Sequence, residues 1–338
     1  MKKKRIKKKV KLIIIILCII AIITTLAITK QLSKTSKSTP DNKKEQTVNE
    51  QPSKSPLLAL NYTQEEIDLI QKYNITDENI QYLVDNKITS DLAINIIKQK
   101  YYIDDYLKKY LAYYEKNPDL SFAEIITRIN THLDDEFYTN TEKTDDTLGK
   151  FVLLNKHYYA DGNYRGQNLI DVDKQYNLYN TSFKLSEECY EAFLKMYNDA
   201  KEQGYAFKIN SAYRSYETQI KIYQGWVNKD GVALADTYSA RAGFSEHQTG
   251  YAFDVRDYPF TNDDYSKTKS FTWVSENAYK YGFIIRFPKD KEYITGYQYE
   301  PWHYRYCGTE CATYIHDNDI TFEEYYEYFI KYKNPRNL

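Results

Sequence analysis

The sequence predicts an α+β fold, in which a small, mainly antiparallel sheet is flanked by helices. Three observations lead to this prediction. Residues 61–137 contain only helix-like segments, whose apolar residues recur at spacings of three and four. From residue 148 onwards, helix-like segments alternate with short apolar runs that are typical of hairpin strands. An apolar run near the N-terminus predicts a transmembrane helix before the folded part.

The N-terminus predicts a signal anchor. Residues 1–11 carry eight Lys or Arg and form the predicted cytoplasmic tail, and residues 12–28 contain no charge. The positive-inside rule leaves the remainder outside, so we expect a single-pass protein of the cell membrane with an extracellular C-terminal domain, as in a Gram-positive bacterium. A cleaved signal peptide is the alternative, since the apolar run is short for a membrane span.

A polar linker follows the predicted anchor. Residues 29–58 contain three prolines and few apolar residues, so they are predicted to be a disordered stalk. Beyond residue 40 the chain holds 35 basic and 47 acidic residues. An acidic body argues against a nucleic-acid partner, because binding to nucleic acid depends on neutralising phosphates with basic side chains.

Residues 59–140 are predicted to form a small helical module. Its first helix begins with Thr63, and Glu66 three residues later completes a capping-box pattern. The segment contains no cluster of catalytic residue types. A spacer or a partner-binding unit fits this pattern, and the sequence does not identify a partner.

Residues 148–338 are predicted to form the second domain. We expect helices at 186–204, 216–228 and 267–282, and strands at 150–159, 205–215, 251–258, 283–287 and 299–308. No glycine-rich phosphate loop follows these strands, which disfavours a nucleotide-binding domain. Cys307 and Cys311 either pair across a turn or remain free thiols, and the spacing does not decide between them.

The stretch SEHQTGYAFDV, residues 245–255, contains a first pair of candidate metal ligands, His247 and Asp254. Asp254 lies in a strand-like apolar run, where a carboxylate is costly unless it is paired or binds a metal. Gly250 and Ala252 are small enough to allow a close approach. A turn leading into a strand explains the same pattern without a metal.

The stretch YEPWHYRY supplies a third candidate ligand, His303, and a candidate general base, Glu300. Catalytic zinc sites have three protein ligands and an open position, and a nearby carboxylate takes the proton of the attacking water. A regular strand would direct Glu300 and His303 to opposite faces. Their convergence therefore requires that Pro301 bends the chain.

Three motifs together resemble the VanY-type D-alanyl-D-alanine carboxypeptidase family, within the LAS group of zinc peptidases of peptidoglycan. The pattern S-x-H-x-x-G-x-A-x-D matches at Ser245, His247, Gly250, Ala252 and Asp254. The pattern E-x-W-H matches at Glu300, Trp302 and His303, and Y-R-S-x-x-x-Q matches at Tyr213, Arg214, Ser215 and Gln219. The resemblance covers about residues 148–315.

The resemblance implies the role of each site residue. It implies that one Zn²⁺ per chain is bound by His247, Asp254 and His303. Glu300 and Arg214 would be catalytic, Glu300 as the base on the zinc-bound water and Arg214 as the residue that steadies the oxyanion or the substrate carboxylate. The substrate-binding residues would be Gln219, Ser245, Tyr213 and Trp302, with Trp302 packing beneath the site.

The expected function is that of a membrane-anchored zinc D-alanyl-D-alanine carboxypeptidase that trims peptidoglycan stem peptides. L,D-carboxypeptidase or endopeptidase activity is the alternative within the class, because these motifs determine the chemistry and not the stereochemistry of the substrate. The alternative from another functional class is a non-catalytic wall-binding scaffold that holds a structural zinc. The other histidines, His132, His157 and His316, match no motif, and we expect His157 and His316 at the surface.

Overall fold

The computed structural model describes residues 55–261 and 264–333. The predicted cytoplasmic tail, the predicted transmembrane helix at 12–28 and residues 29–54 of the predicted stalk lie outside these residues. In the two described ranges, no helix is both long enough and apolar enough to cross a bilayer. Residues 56–58, at the end of the predicted stalk, belong to a 3-10 helix, Pro56–Leu60, in which Leu57 is buried.

The described residues form one compact unit of short helices and three small sheets. The α-helices are α1 Gln64–Lys72, α2 Asp77–Asp85, α3 Ser90–Ile97, α4 Leu107–Lys116, α5 Phe122–Asn130, α6 Glu187–Glu202, α7 Tyr216–Asp230, α8 Val232–Ala235, α9 Lys269–Asn277, α10 Glu292–Thr295, α11 Thr309–Asn318 and α12 Phe322–Tyr325. The strands are β1 Glu142–Lys143, β2 Tyr158–Tyr159, β3 Leu169–Asp171, β4 Lys184–Ser186, β5 Phe207–Ser211, β6 Ala252–Asp257, β7 Phe283–Ile285 and β8 His303–Tyr306.

The five N-terminal helices, α1 to α5, share a hydrophobic core. Helices of eight to ten residues are marginal alone in water, so tertiary packing has to stabilise them. Leu83, Ile96 and Leu107 are fully buried in this core, and Tyr328, from the π-helical turn after α12, is buried with them. The predicted capping box is confirmed: Thr63 and Glu66 each accept a hydrogen bond from the other's backbone amide.

The main sheet has the strand order β5-β6-β8-β7, and each neighbouring pair is antiparallel. The predicted α+β fold with a small antiparallel sheet is therefore confirmed. One face packs on α6, where Phe193 and Phe253 meet with ring centroids 5.4 Å apart. Burial of such a side chain stabilises the fold by about 1.5–3 kcal/mol. This rigid sheet supports the side chains of the candidate site.

The predicted strand at 150–159 forms only in part. Gly149–Phe151 is a 3-10 turn, and only β2, at the end of the predicted strand, pairs with another strand, β1. The Asn155 side chain explains the difference, because its Oδ1 accepts hydrogen bonds from the backbone amides of His157 and Tyr158. These local bonds satisfy amides that a ladder would otherwise use.

The expectation that His157 lies at the surface is wrong, whereas His316 is exposed as expected. His157 is 5% exposed, and its ring centroid lies 5.7 Å from that of His132. The ring of Phe137 also lies against it, with its centroid 5.4 Å from that of His157. Burial, and to a lesser extent the neighbouring His132, lower the pKa of His157 to about 4.

This lowered pKa predicts a loss of stability in mild acid. Between about pH 6.5 and pH 4, the unfolded chain binds a proton at His157 that the folded chain does not, so the free energy of unfolding falls as the pH falls. We expect a decrease of about 2 kcal/mol from this residue. Chemical denaturation between pH 7 and pH 4 should show a flatter dependence in His157→Gln. His316→Gln is the exposed control, and an equal slope in all three proteins would contradict the prediction.

Cys189, Cys307 and Cys311 are free and buried. Of the two possibilities for Cys307 and Cys311, the structure therefore has the free thiols. Cys311 lies in the first turn of α11, and burial raises its pKa well above the ordinary value. Buried thiols of this kind are poorly reactive, because the thiolate is the reactive form.

Candidate active site

The antiparallel pairing of β6 and β8 brings two of the predicted ligands together. Asp254 lies directly opposite His303 in the register of these strands. Opposed residues of an antiparallel pair have neighbouring side chains on the same face. His247 comes from the 3-10 turn Glu246–Thr249, just before β6. Three ligands separated by up to 56 positions therefore meet at the two central strands of the sheet, β6 and β8, and the turn before β6.

The donor atoms of these three side chains converge. The Nε2 of His247 lies 3.5 Å from Oδ2 of Asp254, and the Nδ1 of His303 lies 3.0 Å from Oδ1 of Asp254. One ligand atom from each residue lies within 4.8 Å of the others. The Nδ1 of His247 lies 2.7 Å from the carbonyl of Ala212. In the neutral imidazole, Nδ1–H donates a hydrogen bond to this carbonyl, which leaves the lone pair of Nε2 available to bind a metal.

The electrostatics of the cluster suit a bound cation. Burial lowers the pKa of His247 to about 4, assisted by Arg214, so its ring is neutral at pH 7. Burial alone would lower the pKa of His303 and raise that of Asp254. Contacts with Asp254 and Glu246 outweigh burial for His303 and raise its pKa to about 9, and contacts with His247 and His303 hold the pKa of Asp254 well below its usual value. A bound cation would displace the proton of His303.

These residues fit a zinc ion. His and Asp are zinc ligands, and three of them leave the fourth position open. Among the buried polar atoms of the described residues, Nε2 of His247 forms no hydrogen bond, and Oδ1 of Asp254 forms none although it lies 3.0 Å from Nδ1 of His303. Unsatisfied buried groups are costly, so their convergence is best explained by a ligand.

Glu300 lies beside the cluster, as its predicted role as base requires. The chain bends at Pro301, and the amide of His303 donates to the carbonyl of Glu300 at 3.2 Å. The strand β8 begins only at His303, so the strand alternation does not apply to Glu300. Its Oε2 lies 3.7 Å from Nδ1 of His303. Burial raises the pKa of Glu300 to about 7, which suits a group that accepts and then returns a proton.

A cavity of about 410 Å³ opens over these residues. Arg214, Gln219, Ser245 and Trp302 all line it. The amide of Arg214 donates to the carbonyl of His247 at 3.0 Å, and its buried Nε atom has no hydrogen-bond partner among the described residues. Gln219 donates through Nε2 to the carbonyl of Ala240. Tyr213 is not among the lining residues, so its predicted contact with substrate stays a prediction.

Arg256 also lines the cavity, and sequence reasoning missed it. It shares a face of β6 with Asp254, two residues earlier, and this alternation was the available signal. Its guanidinium carbon lies 4.7 Å from the ring centroid of Trp302. Trp302 is therefore a partly exposed platform at the cavity wall rather than a core residue beneath it.

Gly250 and Ala252 have different roles from the one expected. Gly250 has a φ of 78°, and a Cβ there would overlap Leu169 of β3. The glycine therefore allows β3 to approach the turn, and it does not create space for a metal. Ala252 is fully buried opposite Arg305 on β8.

A buried ionic cluster behind the candidate metal site was also missed. Glu246 and Glu323 share Arg286, whose Nε donates to Oε1 of Glu246 at 2.7 Å and whose Nη2 donates to Oε1 of Glu323 at 2.6 Å. The Nη1 of Arg305 lies 2.9 Å from Oε1 of Glu246. Burial alone would raise the pKa of Glu246, but the two arginines lower it to about 2. The sequence contains no signal for these contacts, since Arg286 and Glu323 lie outside the motifs and no pattern links them to Glu246 or Arg305.

Comparison with known proteins gives concordant matches. The family model described as VanY, D-alanyl-D-alanine carboxypeptidase, matches residues 182–309. The Bacillus subtilis protein named "Putative carboxypeptidase YodJ" is 40% identical over 206 residues, which are 58% of this chain and 76% of that protein. A D-alanyl-D-alanine carboxypeptidase of Enterococcus faecalis is 31% identical over 198 residues, covering 55% of this chain and 69% of that protein.

A solved structure of the LdcB LD-carboxypeptidase is also similar. It superposes with a TM-score of 0.52 and 39% sequence identity, covering 56% of this chain and 91% of that chain. The similar proteins thus include enzymes named for D,D and for L,D cleavage.

Proposed function

The chain belongs to the VanY family of D-alanyl-D-alanine carboxypeptidases, and from this premise we propose that it is a zinc carboxypeptidase that removes the C-terminal D-alanine of peptidoglycan stem peptides. The convergence of His247, Asp254 and His303 beside the buried carboxyl group of Glu300 carries this proposal. Metal ligands and a base in one cavity are what hydrolysis of a peptide bond requires.

Each residue has a task in this reaction. Zinc, when bound, supplies a Lewis acid that polarises the scissile carbonyl and lowers the pKa of the attacking water. Glu300 accepts the proton of that water and later gives it to the departing amine, which its pKa of about 7 allows. Arg214 donates to the developing oxyanion, since its free Nε is buried at the cavity.

The substrate peptide occupies the cavity between α7 and the main sheet in this proposal. Gln219 and Ser245 line it from one side and Trp302 from the other, so peptide and side-chain groups of the stem can contact all three. Two arginines, Arg214 and Arg256, give the cavity cationic groups suited to a substrate that ends in a carboxylate.

L,D-carboxypeptidase activity is the second candidate, because the LdcB enzyme is 39% identical to this chain. Defined muropeptides distinguish the two. We expect the full-length protein to remove one terminal alanine from the pentapeptide, read as the product mass. Trimming of the tetrapeptide alone would replace the proposal by the L,D alternative. Cleavage inside a cross-linked dimer would replace it by an endopeptidase.

We further propose that residues 12–28 anchor the protein in the cell membrane, with the catalytic part outside. The eight basic residues before position 12 support this orientation. A polymeric wall substrate suits an enzyme held at the membrane on a stalk. Membrane fractionation of the full chain against a variant lacking residues 1–28 would test the anchor.

A non-catalytic scaffold with structural zinc, the alternative from another functional class, would show metal binding and no product from any stem peptide.

A further inference from the structure

The two ring nitrogens of His303 face different carboxylates. Its Nδ1 is the atom that faces Asp254 and Glu300. A neutral imidazole that binds a metal through Nδ1 carries its proton on Nε2. Metal-binding histidines almost always donate that second N–H to a carboxylate, a carbonyl or water, which fixes the tautomer and the ring orientation.

Glu246 is placed to accept this proton. Its Oε2 lies 3.8 Å from Nε2 of His303. Both atoms are buried, and neither has a hydrogen-bond partner among the described residues. A closing movement of about 0.8 Å would bring them within ordinary hydrogen-bond distance. The two unsatisfied groups therefore face each other across a gap that a small adjustment of the site would close.

The ionic cluster holds the Glu246 carboxylate in this orientation. Both arginines contact the same oxygen: Nε of Arg286 is 2.7 Å from Oε1, and Nη1 of Arg305 is 2.9 Å from it. The other oxygen, Oε2, is left to face His303. On its far side, Arg286 donates two further hydrogen bonds to Glu323, through Nη1 and Nη2.

We propose that Glu246 is a positioning residue for the metal site. Its carboxylate accepts a hydrogen bond from the Nε2–H group of His303 and thereby keeps Nδ1 directed at the metal. The proposal rests on the proposed function, since it presupposes that the site holds zinc. It assigns a role to the residue between Ser245 and His247, which the motif leaves unspecified. The side chains of Arg286 and Arg305 act through Glu246, and the backbone amide of Arg286 also donates to the carbonyl of His303 at 3.1 Å.

Glu246→Gln tests the proposal. The two arginines require an oxygen acceptor at the Oε1 position, so the glutamine amide would place its NH₂ group where Oε2 stood. That NH₂ is a donor, and it would face the N–H of His303. We expect the zinc affinity of the full-length protein to fall about 10–100-fold, measured by competition with a chromophoric chelator using zinc alone as the probe.

Glu323→Gln is the matched control. It also removes a carboxylate that is bonded to Arg286, at a residue that is 2% exposed against 3% for Glu246. We expect both variants to have a lower midpoint of thermal unfolding than the wild type, because both disturb the buried cluster. Only Glu246→Gln should lose zinc affinity, which is a change that a purely structural role would not produce.

The possible outcomes separate this inference from the proposed function. Wild-type zinc affinity in Glu246→Gln, or an equal loss in both variants, would overturn the positioning role and leave the enzyme proposal intact. A wild-type protein that binds no zinc would overturn both together. A loss confined to Glu246→Gln is the expected result.

Discussion

Replacing Glu300 by glutamine is expected to lower kcat about 10²–10⁴-fold on a stem pentapeptide while zinc remains bound. Glutamine has nearly the same shape as glutamate, but it cannot accept a proton from the attacking water. Glu300 is close to His303 without being one of the three convergent ligands, so the metal site should survive. The checks are steady-state kinetics and the zinc content of the same preparation.

Glu276→Gln provides the control for this prediction, because Glu276 is exposed on α9 and lines none of the candidate site. It should retain wild-type kcat. Full activity in Glu300→Gln would exclude Glu300 as the general base. Loss of zinc from Glu300→Gln would show instead that this carboxylate binds the metal.

Replacing His247 by alanine is expected to abolish zinc binding and turnover together. The wild-type protein should contain about one zinc per chain, and His247→Ala should contain none. Two remaining ligands, Asp254 and His303, are too few for the three that catalytic zinc sites use. Metal analysis after dialysis measures the stoichiometry directly.

A second measurement separates metal loss from unfolding. Added zinc should raise the midpoint of thermal unfolding of the wild type, because a ligand that binds only the folded state stabilises it. It should leave the midpoint of His247→Ala unchanged. His316→Ala, an exposed histidine elsewhere, should behave as the wild type. Zinc retained at full stoichiometry in His247→Ala would refute the proposed ligand set.

The predicted ligands were recognisable from the sequence because three motifs, each made of neighbouring residues, together resemble those of the VanY family. The stretch 245–255 combines His247 with Asp254 at a fixed spacing, and the strand pattern around Asp254 makes a carboxylate conspicuous there. Periodicity likewise predicted α7 and β6 within a few residues. The strand predicted at 150–159 failed because one side chain, Asn155, competes with the ladder for backbone amides.

Residues whose environment is created by distant parts of the chain were not recognisable. Charged side chains are rarely buried without partners, so nothing in the sequence indicated that Glu246 and Arg286 are buried. They are 3% and 1% exposed, and their pairing makes this burial tolerable. His157 was misjudged for the same reason, since the fold and not its neighbours in sequence removes it from solvent.

The sequence by itself therefore determined the α+β class, the candidate ligands His247, Asp254 and His303, and the candidate base Glu300. It determined these because periodicity and motif spacing are properties of neighbouring residues. The tertiary structure alone decided that Asp254 and His303 oppose each other across β6 and β8, and that Arg256 joins the cavity. It also decided that Glu246 faces Nε2 of His303, because strand register and buried ion pairs depend on contacts between residues far apart in the chain.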